Sequence, residues 1–301
     1  MTAPAAPPEF SPGDVALEGF RLTREHPQVI PAWAALLFVV SLLSTWALVS
    51  SGYMASMTTF METVQKGAQP DMTALNAVSL RLIQKMLVVF PVMLVFDALI
   101  RTAIARMVLT PQDRGLAYLK LGVEELLVFV TRILITLILI GFGMVAGVVI
   151  GGSVAALGAA GALIAVIAFF GLIGALIVVQ IRLSLTTPAT FATRSIGLGA
   201  SWRMTKGRMG PLLGTYVIAI VLFLVVQVVG MVITSVIQMA AGGASGAIPT
   251  DFKDYLTVPQ LIGEVVGAVF SALGVLILHS PAAVIYRRLS GADMAKVTDA
   301  F

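Results

Sequence analysis

The sequence predicts an all-α, polytopic membrane protein with six transmembrane helices. Of its 301 residues, 58% are hydrophobic and 11% are charged, and the mean hydropathy is +1.00. A soluble globular domain contains roughly 45–50% apolar and about 25% charged residues. Several apolar segments also exceed the ~20 residues needed to cross the ~30 Å hydrocarbon core of a bilayer. Because no water pairs with backbone groups there, such segments must be helical.

Six apolar segments define the predicted spans, which cover approximately residues 29–51, 83–109, 123–150, 154–182, 211–240 and 261–287. Only residues 151–153 (Gly-Gly-Ser) separate the third span from the fourth, so the turn is expected there. Pro91 lies within the second span and is expected to kink it, because proline lacks the backbone donor. The connection 54–80 predicts an amphipathic helix broken near Gly67 and Pro70, and residues 242–256 predict a loop.

Cations are distributed unevenly over the two membrane faces. With a cytoplasmic N-terminus, thirteen lysines and arginines fall on the cytoplasmic side, four fall on the other side, and two lie within spans. The excess of cations on one side therefore places both termini in the cytoplasm. The densest cluster is the basic collar, which we define as the five cations between residues 180 and 216, a segment without carboxylates.

The chain contains an internal repeat. Residues 20–24 (Phe-Arg-Leu-Thr-Arg) precede the first span, residues 202–206 (Trp-Arg-Met-Thr-Lys) precede the fifth, and residues 119–122 are a weaker version before the third. The pattern predicts three tandem units, about 14–111, 112–188 and 189–291, each a short interfacial helix followed by a two-span hairpin. A disordered tail (1–13) and a cytoplasmic tail (292–301) flank them.

The predicted interfacial helices combine aromatic and basic side chains, which favour the headgroup region of anionic lipid. The candidate lipid-contacting residues are Phe20, Arg21, Arg24, Lys120, Arg182, Arg194, Trp202, Arg203, Lys206, Arg208, Arg287 and Arg288. The pI of 9.6 could also indicate nucleic acid. These cations lie beside membrane spans, however, so membrane lipids are the predicted partner and nucleic acid is not.

Five polar residues are predicted within the spans: Asp97, Arg101, Arg132, Gln180 and His279. Asp97 and Arg101 are four residues apart and share a helical face. They could form a proton or ion relay, but a structural ion pair, shared with Arg132, is the favoured interpretation because an adjacent arginine keeps a carboxylate ionised. His279 could carry protons, although a hydrogen bond between helices is more usual.

No catalytic or metal-binding constellation is predicted. The chain has no cysteine, and its two histidines, His26 and His279, are far apart in sequence. Met54, Met57 and Met61 could bind Cu(I), but packing of an apolar face is favoured. Glu124 and Glu125 are expected to stabilise a helix N-terminus and to meet the basic collar. We therefore expect a protein that is not an enzyme and needs no cofactor or metal.

Glycines at positions 143, 147 and 151 form a GxxxGxxxG series in the third span. Small residues of this kind allow helices to approach closely in lipid. The partner could be the fourth span, which is favoured, or a second copy of the chain in a homo-oligomer.

Three short motifs carry a resemblance to a known group. They are Arg182-Leu-Ser-Leu-x-x-Pro188, Gly199-Ala-Ser201-Trp202-x-x-Thr205-Lys206-Gly207 and Tyr286-Arg287-Arg288-Leu289. The chain resembles, over about residues 14–290, an uncharacterised bacterial six-helix integral membrane family that includes the membrane domain of some glycerophosphodiester phosphodiesterases. The resemblance implies a protein of the bacterial cytoplasmic (inner) membrane; the phosphodiesterase domain itself is missing.

Two functions follow as expectations. The favoured one is a non-enzymatic, membrane-organising or lipid-interacting protein that acts through its basic, aromatic interfacial helices. The alternative is a small-solute or ion transporter, or a channel subunit, that uses Asp97 and Arg101.

Overall fold

The computed structural model of the chain describes residues 10–65, 72–241 and 251–291, and within these ranges it contains helices but no strands. The helices are α1 (Pro12–Ala16), α2 (Glu18–Glu25), α3 (Val29–Ser50), α4 (Tyr53–Gln65), α5 (Met72–Met86), α6 (Phe90–Leu109), α7 (Val123–Leu157), α8 (Ala159–Leu183), α9 (Thr186–Thr193), α10 (Leu198–Met204), α11 (Met209–Ala240), α12 (Phe252–Tyr255) and α13 (Val258–Leu289). The predicted tail at 292–301, most of the tail at 1–13 and the predicted breaks at Gly67 and Pro70 lie outside the described residues.

Length and composition confirm the membrane class. Five described helices, α3, α7, α8, α11 and α13, are long and apolar enough to span a bilayer. A sixth span exists if α5 and α6 count as one, although these two helices meet at an angle of 49°. The protein is therefore an all-helical, multi-pass membrane protein with five to six spans.

The second predicted span is interrupted. Residues 83–109 were expected to form one helix kinked at Pro91, but the helix breaks at residues 87–89 and resumes at Phe90. Pro91 thus occupies the first turn of α6, where its missing N–H costs nothing because no intrahelical partner exists. The two segments bend by 49° at this break, which begins four residues before Pro91, so the expected kink takes the form of a break between α5 and α6.

The predicted turn at residues 151–153 is wrong. α7 continues as a helix to Leu157, and the chain turns at Gly158, whose φ of +54° suits glycine. Glycine disfavours a helix interior by about 1 kcal/mol relative to alanine. In lipid that cost is overridden, because a broken helix leaves backbone groups without hydrogen-bond partners.

The GxxxGxxxG series of α7 does not pack against α8. A methyl group at Gly143, Gly147 or Gly151 would meet no described atom within 4 Å. The close approach occurs elsewhere, at Gly161 of α8, where a Cβ would lie 1.9 Å from the carbonyl oxygen of Ser153. The favoured partner of the series was therefore wrong.

The described residues form two compact units. The first unit comprises residues 10–21, 98–220 and 277–291, and the second comprises residues 22–65, 72–97, 221–241 and 251–276. In the first unit, α7 packs along α8 and α9, and α10 packs on α8 and α9. In the second unit, α3 contacts α4 and α12, and α4 packs on α5.

Arg106, in the last turn of α6, forms the most buried charge network of the first unit. Its side chain is 3% exposed, and it donates hydrogen bonds to the carbonyl oxygen of Tyr118 (2.6 Å) and to Glu125 at the start of α7 (2.5 Å). Its guanidinium also lies 5.5 Å from the centre of the Phe191 ring and 3.5 Å from Asp113. A hydrogen bond from Lys120 is the largest cause that lowers the pKa of Asp113; desolvation, the next largest, opposes it, and the charges of Lys120 and Arg106 lower it further.

A second charge network of the first unit joins three helices. Glu18 of α2 is almost fully buried and accepts a hydrogen bond from Arg21 (2.5 Å), and Arg287 of α13 lies 3.9 Å away. Arg287 also donates to the carbonyl oxygen of Val108 in α6 (3.1 Å). The ends of α2, α6 and α13 are thus held together by charge.

The segments before the first, third and fifth spans differ from one another. Residues 20–24 lie in α2, and residues 202–204 lie in α10. Residues 110–122 form turns and an isolated bridge between Leu116 and Leu119, not a helix. The middle segment therefore lacks the short helix that the repeat predicts.

We expect Arg106→Met to destabilise the protein by about 3–5 kcal/mol, because it leaves Glu125 as a buried carboxylate without its cation. Thermal unfolding in detergent would measure the change. The double variant Arg106→Met/Glu125→Leu should be more stable than Arg106→Met. The control Arg194→Gln removes a pair with Glu124 from an arginine that is 76% exposed, and should cost less than about 1 kcal/mol. Equal losses for both arginines would contradict this assignment.

Candidate functional site

A cavity of about 560 Å³ lies within the first unit, between α6, α7, α8, α9, α11 and α13. Its polar lining consists of Arg101, Arg132, Gln180, Ser184, Thr187, Tyr216 and His279. Four of the five predicted intramembrane polar residues therefore meet in one place, although they come from four different helices. We refer to this space as the arginine cavity.

The arginine cavity is lined by donors and neutral polar groups, and no carboxylate occurs among its described lining residues. Arg101 of α6, Arg132 of α7 and His279 of α13 are all half-buried. Each of them is already engaged in an interaction within the protein, so a ligand would share these groups. An arginine has five N–H donors, which allows such sharing.

The exposed lining residues of the cavity, which mark its mouth, are mainly aliphatic, with Gln180 of α8 as the polar exception. Ile173 and Ile177 of α8 and Val217 and Ile220 of α11 line the mouth with 39–51% of their surface exposed. Exposed aliphatic side chains on transmembrane helices face an apolar surrounding. The cavity thus combines cationic groups inside with an apolar opening between α8 and α11.

The connection from α8 to α10 forms the base of the cavity. Ser201 of α10 is fully buried, donates to the carbonyl oxygen of Arg182 (2.6 Å) and accepts from the amide of Leu185 (3.2 Å). These bonds pair the backbone groups that are released where α8 ends. A Cβ at Gly197 would lie 2.8 Å from the amide of Thr190, so α9 and α10 meet too closely there for a larger residue.

Two polar atoms next to the cavity are buried without a hydrogen-bond partner among the described residues. They are Nη1 of Arg182 and Oγ1 of Thr186. The hydroxyl of Tyr216, which lines the cavity, is close to the side chain of Ser184. Buried polar groups in proteins are nearly always paired, by water or ligand if not by protein. Arg182 also stacks on Trp202, with 5.4 Å between the guanidinium carbon and the ring centre.

Most of the predicted lipid-contacting residues are at the surface of the protein. Phe20, Arg21, Arg24, Lys120, Arg194, Trp202, Arg203, Lys206 and Arg288 are exposed, whereas Arg182, Arg208 and Arg287 are half-buried. Some also have partners within the chain: Lys120 binds Asp113, and Arg194 binds Glu124 at 2.8 Å. The expectation that Glu124 meets the basic collar is thereby confirmed.

Asp97 does not line the arginine cavity. It lies on α6 one helical turn before Arg101, is half-buried and is engaged in an interaction. Its assignment as a relay or as a structural ion pair remains a prediction.

Sequence reasoning missed Ser184, Thr187 and Tyr216 as cavity residues. Serine and threonine are common in transmembrane helices, so their presence alone does not indicate a site. Tyr216 was detectable in principle, since a tyrosine two turns inside a long apolar run needs a partner for its hydroxyl.

Comparisons of the chain with family models, with curated proteins and with solved structures found no match. The functional argument therefore depends on the geometry of this chain.

We expect Ser201→Ala to destabilise the protein by about 1–3 kcal/mol, because the carbonyl of Arg182 and the amide of Leu185 lose a buried partner. Unfolding in detergent, followed by circular dichroism, would measure the loss. Ser195→Ala is the matched control, since Ser195 is exposed and bonds only locally with Thr193. A stability of Ser201→Ala equal to that of the control would mean that the base of the cavity does not depend on Ser201.

Proposed function

We propose that this chain is a non-enzymatic, lipid-interacting protein of the bacterial cytoplasmic membrane, and that the arginine cavity binds the anionic headgroup of a membrane lipid. The supporting observation is the convergence of Arg101 and Arg132 in a space with an aliphatic mouth. Arginine is suited to phosphate because its planar guanidinium donates two parallel hydrogen bonds. The acyl chains of the same lipid would leave the cavity between α8 and α11.

The size of the cavity supports a headgroup as ligand. Pockets for small molecules typically have volumes of about 300–1,000 Å³ and combine an apolar lining with a few polar groups. At about 560 Å³, the arginine cavity has room for a phosphorylated headgroup but leaves the acyl chains outside. Tyr216 and His279 would supply further hydrogen bonds to the headgroup.

The interfacial helices belong to the same proposal. α2 and α10 carry the exposed aromatic residues Phe20 (41%) and Trp202 (47%), flanked by exposed cations. In the proposed orientation, with both termini in the cytoplasm, these helices lie at headgroup level and raise the local concentration of anionic lipid. The three tandem two-span units and a homo-oligomer are also parts of the proposal, and native mass spectrometry would test the homo-oligomer.

The double variant Arg101→Gln/Arg132→Gln should bind anionic lipid about 10–100-fold more weakly, since a charge-assisted hydrogen bond contributes about 1.5–3 kcal/mol. Native mass spectrometry of protein released from nanodiscs with phosphatidylglycerol and phosphatidylcholine would count the retained anionic lipids. A second cavity variant, Val217→Trp, places a large side chain at the mouth of the cavity and should block it. We expect the wild-type chain to retain one phosphatidylglycerol molecule, and both cavity variants to lose it.

The control variants separate the cavity from the surface. Arg114→Gln removes an exposed cation of a loop and should leave the retained lipid in place. Arg203→Gln/Lys206→Gln should weaken the association of anionic lipid with the surface of the protein by about 1 kcal/mol per cation, in a salt-dependent manner. Retention of phosphatidylglycerol by both cavity variants at the wild-type level would refute the cavity assignment.

A solute transporter is the second candidate, because four of the five predicted intramembrane polar residues line a space large enough for a small anion, and Asp97 lies one helical turn from Arg101. If the chain transports such a solute through an Asp97-dependent relay, Asp97→Asn should abolish proteoliposome uptake without changing the melting temperature. If Asp97 instead pairs structurally with an arginine, Asp97→Asn should lower the melting temperature. Absence of uptake by the wild-type protein would leave lipid binding as the function.

A further inference from the structure

A second space, separate from the arginine cavity, lies within the second unit. It is a groove of about 360 Å³ between α11 and α13. Its polar lining consists of Gln227, Thr234, Ser235, Gln238, Glu264 and Ser271. We call it the oxygen-rich groove, because hydroxyl, amide and carboxylate oxygens dominate this lining.

Glu264 is the charged residue of the groove. It lies within the span-forming helix α13, is half-buried, and accepts a hydrogen bond of 2.7 Å from the hydroxyl of Ser41 in α3. Among the described residues, no lysine, arginine or histidine lies within 4.0 Å of its carboxylate. A carboxylate in a membrane span is costly unless a positive charge or a proton compensates it.

The groups that face Glu264 do not supply this charge. Ser41 on α3 is a neutral donor. Tyr255 on α12 is the titratable neighbour, and burial, followed by the Glu264 carboxylate, raises the pKa of its hydroxyl. Neither the Ser41 hydroxyl nor the Tyr255 phenol carries a positive charge that could compensate a carboxylate.

Two further oxygens in the groove are buried without a partner. Oε1 of Gln227 and Oγ1 of Thr234 make no hydrogen bond to any described residue. The glutamines lie directly against glycine backbone: a Cβ would approach Oε1 of Gln227 to 2.8 Å at Gly274, and Nε2 of Gln238 to 2.3 Å at Gly263. Glycine at these two positions therefore makes room for amide groups between α11 and α13.

We propose that the oxygen-rich groove binds a monovalent cation, with Glu264 as its counter-charge and the side-chain oxygen of Thr234 as an additional ligand. The cation is an alkali metal ion or a protonated amine, since both are satisfied by oxygen acceptors around one negative charge. This site is separate from the lipid site and does not depend on it.

Charge and ligand type select a monovalent cation. Carboxylate, amide and hydroxyl oxygens are hard ligands, which exclude the soft transition metals. Ca²⁺ and Mg²⁺ typically use carboxylates from several residues or retain several waters, whereas this groove has one carboxylate. Consistently, no group of three histidines, cysteines or carboxylates that could hold a metal occurs in the part of the chain that the structure describes.

The test measures binding to the full chain in nanodiscs. Equilibrium dialysis with labelled sodium, rubidium or methylammonium determines the affinity of the wild-type protein directly, and distinguishes a metal ion from an amine. At ten times the dissociation constant, the bound cation should raise the melting temperature by about 3 °C relative to N-methylglucamine at equal ionic strength. Glu264→Gln should abolish both the binding and the shift, while retention of phosphatidylglycerol stays unchanged.

Matched variants make the result specific. Asp254→Asn removes an exposed carboxylate of α12 and should behave as wild type. Thr234→Val, which removes one proposed ligand without changing charge, should weaken binding several-fold. If Glu264→Gln does not fold, dialysis of the wild-type protein and of Thr234→Val still shows whether the groove binds a cation. The proposal is overturned if the wild type binds none of the three cations, if it prefers divalent cations, or if its melting temperature follows pH alone.

Discussion

The structure depends on the pairing of Arg106 with Glu125. An apolar surrounding does not tolerate an isolated charge, so the guanidinium at the end of α6 requires an anion, and α7 begins at the point that supplies it. The same guanidinium donates a hydrogen bond to the carbonyl oxygen of Tyr118 and lies over the ring of Phe191. One cation thereby fixes the turn at residues 110–122 and the position of α9. Replacing such a pair by apolar residues is often neutral, so its role is to define the arrangement, more than to add stability.

The arginine cavity and the oxygen-rich groove differ from this network in how their polar atoms are paired. Next to the cavity, Nη1 of Arg182 and the hydroxyl of Thr186 are buried without partners, and the same holds for Oε1 of Gln227 and Oγ1 of Thr234 at the groove. Glu125 also has one unpaired oxygen, but its other oxygen binds Arg106 directly. Unpaired atoms that cluster around an open volume indicate a ligand or water, whereas one such atom in a closed ion pair does not.

The helical class and the span positions were predictable from sequence, because transfer into lipid depends on local composition. The breaks were not, since glycines 151 and 152 end helices in water but are tolerated in lipid, where only the turn at Gly158 interrupts α7. For the site, the sequence identified four of the polar cavity residues, each as a separate candidate within its own span. Their convergence could not be predicted, because it depends on how α6, α7, α8 and α13 pack. Glu264 was overlooked, since a carboxylate near the start of a predicted span resembles an ordinary flanking charge.

Buried and half-buried charges can be sorted by the partner that the chain provides. Arg106 has Glu125 and Arg287 has Glu18, so each of these cations is explained by the fold itself. The protein gives Glu264 only a serine hydroxyl, although placing a carboxylate in a span costs far more than one neutral hydrogen bond returns. Selection for stability alone would favour an apolar residue at that position. The lack of a cationic partner for Glu264 is best explained by a positively charged ligand that binds in the groove. Glu264 therefore marks a binding site, whereas the more deeply buried Arg106 has its partner within the chain.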